Sequence, residues 1–266
     1  MTEANQVLLT RREGAVLVLS NNNVAARNAL SPEFYAAVLA ALKSAATDPT
    51  VGAVVLTGEG GHFCAGGDLR QLAKRRELPV QERRAKLEGL HDLIRSVRDF
   101  PKPVIAAVEG AAAGAGLSLA LACDMLVAAK NAVFSVAYVK VGLTPDGGAT
   151  AFLAEFVSRQ VLTELCLTGE RISGERLHAL GPVNRLSEPG QAQADAVALA
   201  AQVATGPDQA MALIKDLCRQ APRNTLEEQL ELEAQYMVRS QESEESREGI
   251  GAFLEKRAAD FTKLRG

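Results

Sequence analysis

His62-Phe63-Cys64-Ala65-Gly66-Gly67-Asp68 and, further along, Glu109-Gly110-Ala111-Ala112-Ala113-Gly114-Ala115-Gly116 are two Gly/Ala-rich turns, each behind an apolar, strand-like run. Small side chains leave the backbone N–H groups of such turns uncovered. Backbone donors aimed at one point are what a developing enolate or oxyanion needs. The pair therefore points to chemistry on a carbonyl or thioester, with the protein supplying electrostatics rather than a side-chain nucleophile. Cys64 has no histidine-plus-carboxylate pattern beside it.

The elements around the turns follow from periodicity and punctuation. Residues 7–10 and 15–20 are apolar runs joined by Arg11-Arg12-Glu13-Gly14, a hairpin signal, and a polar loop covers 21–28. Ser31-Pro32-Glu33 starts a helix to about residue 46, with Ser as N-cap, Pro at the first position and an acid in the first turn. Residues 52–57 and 103–108 are continuous apolar runs, the pattern of strands buried on both faces. Asp68 opens a helical stretch that Pro79 interrupts, and a longer helix covers 80–100. A helix follows the second turn to residue 121, with short strands at 124–128 and 132–134. Beyond Ala149 the pattern is mostly helical, through a helix, Gly-Pro turn and strand over 171–186 to charged amphipathic helices at 226–239 and 244–259. Repeated strand-strand-helix cycles give the α/β class.

Composition removes several function classes. With 266 residues, 47% hydrophobic and 23% charged, the chain can bury a sizeable core. A net charge of −3 speaks against general nucleic-acid binding. Met1-Thr2-Glu3-Ala4-Asn5 lacks an export signal, and the most apolar stretch, 104–129, is broken by Glu109, Asp124 and glycines. A cytoplasmic protein with no membrane span is expected. Cys64, Cys123, Cys166 and Cys218 have no metal-ligand or disulfide spacing and read as free thiols, so no metal site is expected.

Gly110-x-x-x-Gly114-x-Gly116 could be mistaken for a dinucleotide loop, but a hundred residues precede it and Lys130-Asn131 occupies the zone of the ribose-binding acid. A wider pattern accounts for the whole chain. Arg27-Asn28-Ala29-Leu30-Ser31, Phe63-Cys64-Ala65-Gly66-Gly67-Asp68-Leu69, Pro101-Lys102-Pro103 through Glu109-Gly110, Leu121-Ala122-Cys123-Asp124, Val141-Gly142-Leu143-Thr144-Pro145-Asp146-Gly147-Gly148 and Arg247-Glu248-Gly249 through Arg257 occur in order from about residue 10 to 257. This series resembles the enoyl-CoA hydratase/isomerase, or crotonase, superfamily.

The resemblance implies a crotonase-like spiral of ββα units over residues 1–200 carrying the acyl-CoA site. It adds a helical region, 201–266, for oligomerisation and CoA contact, and a homotrimer or dimer of trimers. It places the oxyanion hole at the backbone N–H groups of Gly67 and Ala115. Adenine and pantetheine would lie along Ala26, Asn28, Ala65, Asp68 and Leu69, with Gly66, Ala113 and Tyr138 also counted as substrate-binding. Phe253 and Lys256 match C-terminal residues that approach the nucleotide end, though Lys256 also fits an ordinary exposed helix lysine. Coenzyme A enters as part of the substrate, so no separate cofactor is expected.

Hydratases of this family activate water with two glutamates, and the matching positions here are Ser118 and Tyr138. Neither is a carboxylate, and water addition needs an acid/base group. Asp146 remains, aligned with the carboxylate that some isomerases of the family use as their only base. Burial beside an apolar acyl pocket, with Phe134, Val136, Leu143 and Phe152 as walls, would raise its pKa. Its other reading is an N-cap of the helix beginning at Gly147. Tyr138 can orient the acid or the acyl chain, or be a core residue. The expectation is a double-bond shift from 3-enoyl-CoA to 2-enoyl-CoA. Hydration, thioester or ring hydrolysis, and an inactive acyl-CoA binder are the alternatives.

Overall fold

Every strand of the larger sheet after the first lies parallel to its neighbour, and every crossover is long. The structure, a computed structural model, describes residues 6–265 of the chain; residues 1–5, read above for an export signal, lie outside them. β1 (Leu8–Glu13) and β2 (Val16–Asn21) form the expected hairpin. β2 pairs in parallel with β3 (Ala53–Gly58), which pairs with β4 (Val104–Val108), then β6 (Met125–Ala129) and β9 (Arg185–Ser187). β4 is buried at every residue, as its unbroken apolar run requires.

A second, shorter sheet takes one strand from successive turns of the chain. β5 (Ala111–Ala113) pairs in parallel with β7 (Val133–Ser135), and β7 pairs antiparallel with β8 (Ile172–Ser173). A single parallel bridge from Cys64 to Ala112 extends this layer by one rung. The chain thus passes from large sheet to small sheet to helix, then repeats, and this cycle is the spiral of ββα units. The sequence reading treated 111–113 as turn; three alanines carry no β-branched signal, and the strand exists because neighbours supply its hydrogen bonds.

α1 (Pro32–Thr47) is capped by Ser31, whose hydroxyl accepts from the Phe34 N–H, and it turns Phe34, Val38 and Leu42 inward. α2 (Leu69–Arg75) and α3 (Val80–Arg98) flank Pro79, as expected. α4 (Ala115–Leu121) follows β5 directly. α5 (Ala149–Ala154), α6 (Arg159–Thr168) and α7 (Gly174–Ala179) complete the spiral. α8 (Ala192–Val203) covers the large sheet, burying Ala192, Ala196, Leu199 and Ala200 against β3, β4 and β6.

α9 (Asp208–Gln220), α10 (Leu226–Gln241) and α11 (Glu244–Leu254) form the helical C-terminal region. Lys215 of α9 ties this region to the core. Its ammonium donates to the Phe100 and Lys102 carbonyls at 2.6 and 2.8 Å and pairs with Asp124 at 2.7 Å. Asp124 in turn accepts from the Val104 N–H at 2.7 Å, fixing the start of β4. α11 ends at Leu254, earlier than the charged periodicity indicated, and Lys256 lies past it in the left-handed region at φ 55°. Among the described residues no helix is long and apolar enough to cross a membrane.

Candidate active site

The two Gly/Ala turns lie side by side because their backbones hydrogen-bond to each other. Phe63 N donates to Glu109 O at 2.9 Å, Cys64 N to Ala111 O at 2.9 Å, and Ala113 N to Cys64 O at 3.0 Å. This approach excludes side chains. A Cβ on Gly116 would lie 2.4 Å from the Cys64 carbonyl oxygen, and one on Gly66 would lie 2.7 Å from the Ala113 oxygen. Gly66 also sits at φ 99°, where an L side chain is strained.

At the end of this zipper the Gly67 and Ala115 N–H groups donate to no other group among the described residues. Ala115 opens α4, so no upstream helical carbonyl exists for it. Gly66, Gly67, Gly114 and Ala115 all line one cavity of about 620 Å³. Two donors of fixed backbone on a largely apolar cavity can accept a carbonyl oxygen and stabilise it as it becomes an anion.

Among the described residues Asp146 is the only carboxylate lining that cavity. Burial pushes its pKa above the ordinary carboxylate value, against the Tyr138 hydrogen bond and the charges of His91 and Arg75, which pull it down. The Tyr138 hydroxyl donates to Asp146 Oδ1 at 2.8 Å. The Ser118 hydroxyl donates to the Asp146 main-chain oxygen at 2.9 Å and lies 3.2 Å from the Tyr138 hydroxyl. Tyr138 and Ser118 therefore both hold Asp146, one by its side chain and one by its backbone. Burial and the nearby Asp146 raise the Tyr138 pKa, so it acts as a neutral donor.

Asp146 is not a helix cap. α5 begins only at Ala149, behind Gly148 in the left-handed region, and no side chain caps it. Two glycines move the helix start away from the acid, which leaves the carboxylate facing the cavity without the dipole that would have lowered its pKa.

Several expected site residues have other partners. Asn28 is buried, and its amide donates to the Glu59 and His62 carbonyls at 2.8 and 2.6 Å, so its side chain braces the first turn. Asp68 caps α2, accepting from the Arg70 N–H at 2.8 Å. Ala65 and Leu69 line the cavity, whereas Ala26, Ala113, Phe253 and Lys256 do not. Phe253 is exposed on α11.

The expected acyl walls are partly corrected. Leu143 lines the cavity, but Phe134 and Val136 enclose a separate small void with Leu117 and Leu153, and Phe152 packs on Gly148. The walls are instead Tyr35 of α1, Leu72 of α2, and Leu87 and Leu90 of α3. Leu87 and Leu90 lie on one face of α3, and the path of that helix brings them onto this cavity. Cys64 is buried, its thiol pushed up to about 12, and it is no nucleophile. His62 accepts from the Ala111 N–H through Nδ1 at 3.2 Å and belongs to the zipper. Among the described residues no group of three or more His, Cys, Asp or Glu is placed to hold a metal.

The spiral of ββα units with its paired backbone donors defines a crotonase-fold protein. The family description enoyl-CoA hydratase/isomerase matches residues 11–264, and the chain belongs to that family of acyl-CoA enzymes. It is 36% identical to the 1,2-epoxyphenylacetyl-CoA isomerase of Escherichia coli K12, over 97% of this chain and 98% of that protein. It is 34% identical to the 2,3-dehydroadipyl-CoA hydratase of the same organism, over 96% and 98%. A crystal structure of an enoyl-CoA hydratase from Polaromonas sp. JS666 superposes with a TM-score of 0.93 at 48% identity, covering 95% of this chain and 98% of that one. Isomerases and hydratases thus both occur among its relatives.

Proposed function

We propose that the protein is an enoyl-CoA isomerase that moves a double bond from the 3 to the 2 position with Asp146 as its single base. The observation that carries this reading is the Asp146 carboxylate, alone among acids on the cavity wall and oriented by Tyr138 and Ser118. The Gly67 and Ala115 N–H groups polarise the thioester carbonyl, which makes the C2 proton acidic. Asp146 takes that proton, the C2–H electron pair moves into C1–C2 and the charge passes to the thioester oxygen, giving a dienolate in which C3=C4 is still present and whose oxyanion rests on the two N–H groups. The carboxylic acid then returns a proton at C4, leaving a C2–C3 double bond and the carboxylate restored. A base with a raised pKa is better matched to both halves of this exchange than an ordinary carboxylate.

Ala65, Gly66 and Leu69 line the cavity, which runs the CoA arm along the first turn, with the acyl chain passing Asp146 toward α2 and α3. Phe253 and Lys256 would meet the nucleotide of a neighbouring subunit in a trimer or dimer of trimers.

Purified protein should convert 3-hexenoyl-CoA to 2-hexenoyl-CoA, followed at the absorbance of the conjugated thioester. Hydration of crotonyl-CoA should be slower by at least about a hundredfold, the size of a missing general base. Efficient hydration with no isomerisation would overturn this reading.

A further inference from the structure

The wall of the cavity beyond Asp146 is strongly basic. Arg75 and Arg76 end α2, Arg83 and Lys86 stand on the first turns of α3, and Lys140 follows Tyr138; all five line the cavity, and Asp146 is its only acid. None of the five has a carboxylate within ion-pair distance among the described residues, although other arginines of α3 do, with Arg84 at 3.7 Å from Glu88 and Arg95 at 2.8 Å from Asp92. In a chain of net charge −3, five unneutralised cations around one cavity form a local positive field that attracts an anion.

Their position indicates which anion. Leu90 packs beside Gly147, next to Asp146, and His91 and Arg75 both act electrostatically on Asp146. At 1.5 Å per residue, Lys86 lies about 6 Å and Arg83 about 10 Å along α3 from Leu90. Leu87 and Leu90 thus form an apolar stretch between the reacting carbons and the cationic rim. Of the residues matched to the adenine and pantetheine, Ala65 and Leu69 line this cavity and Ala26, Asn28 and Asp68 do not.

We propose that this basic rim is a subsite for a carboxylate at the end of the acyl chain remote from the thioester, with Arg75, Arg83 and Lys86 as its ligands. The assignment rests on the direction of the acyl chain given under the proposed function. It makes the substrate class an acyl-CoA derived from a dicarboxylic acid. A plain alkyl chain would find only the aliphatic stems of these side chains at its tip.

The test measures binding of adipyl-CoA and hexanoyl-CoA by calorimetry; both are saturated, so neither undergoes the double-bond reaction. Adipyl-CoA should bind about tenfold more tightly, the worth of two partly exposed ion pairs, and the preference should fall with salt. The double variant Arg83→Gln/Lys86→Gln should bring the ratio of the two affinities near one, and Arg83→Glu/Lys86→Glu should invert it. Both residues are exposed and make no side-chain hydrogen bonds, and thermal melting verifies folding. Equal affinities in the unaltered protein overturn the proposal. So does an equal weakening of both ligands in the variants, which would give the rim to the nucleotide phosphates. A protein that isomerises 3-hexenoyl-CoA yet shows no adipyl preference loses only the subsite. One that shows the preference yet fails to isomerise loses only the reaction assigned to Asp146.

Discussion

The Tyr138 hydroxyl lies 2.8 Å from Oδ1 of Asp146 and donates to it, so a buried phenol holds the acid of the cavity. That bond stabilises the charged carboxylate, while burial acts the other way and prevails. Its removal has a calculable sign. In Tyr138→Phe the Asp146 pKa should rise further, and the acid limb of the kcat/KM profile should move to higher pH. The rate at neutral pH should fall about tenfold, the worth of one hydrogen bond to a charged group. A profile that keeps its limb while the rate falls would mean that Tyr138 acts on substrate and not on Asp146.

Asp146→Asn keeps an oxygen for Tyr138 but has no basic electron pair. Isomerisation should drop by at least about a thousandfold, within the range of general-base removal. Stability should change in the opposite direction. Burial raises the folded-state pKa of Asp146 above its unfolded value, so the folded chain binds this proton more tightly. The stability so gained is fully present below the unfolded pKa and is lost as pH rises through the folded pKa. The amide should therefore melt higher than the native protein at neutral pH, and the difference should shrink as the solution is acidified below that window. Calorimetry across pH checks both parts.

Much of this was legible before any coordinates. The hairpin, the buried strands and the Ser31 cap follow from local patterns that the tertiary structure does not override. The paired turns were legible because glycine marks close backbone approach, as between Gly116 and Cys64. What depended on the path of the chain was not. Whether Asp146 capped a helix turned on two glycines that move the start of α5 to Ala149. Phe134 and Val136 carry the right character for an acyl wall, yet they line a different void, with Leu117 and Leu153. Asn28 looked like a ligand contact because its position in the sequence says nothing of the two carbonyls that fold over it.

Asn28 therefore makes a structural prediction. It is buried at φ 59°, and its amide holds the loop that leads into the first turn. Asn28→Ala leaves two part-buried carbonyls without their side-chain donor and should cost about 1–2 kcal/mol of unfolding free energy. Denaturant unfolding measures it, and a variant as stable as the parent would show that the loop is held by other means.

Gly66→Ala tests the hole without touching either donor. The new methyl would meet the Ala113 oxygen at 2.7 Å and lie 3.7 Å from the Ala115 nitrogen. Relief requires the two turns to part. The expected result is a loss in kcat of about a hundredfold to a thousandfold, the range seen when one oxyanion donor is displaced. Single-turnover kinetics on 3-hexenoyl-CoA should place the loss in the chemical step.

The zipper between Cys64 and Ala112 has an evolutionary consequence. Because the donors it aligns are peptide groups, a point mutation can spoil their setting but cannot exchange them for another functional group. Positions 118, 138 and 146 are under no such restriction, since each acts through a side chain and the three meet at Asp146. A lineage built on this scaffold can thus change its reaction by rewriting a few side chains, while the capacity to bear a negative charge on the thioester oxygen is inherited through the course of the main chain.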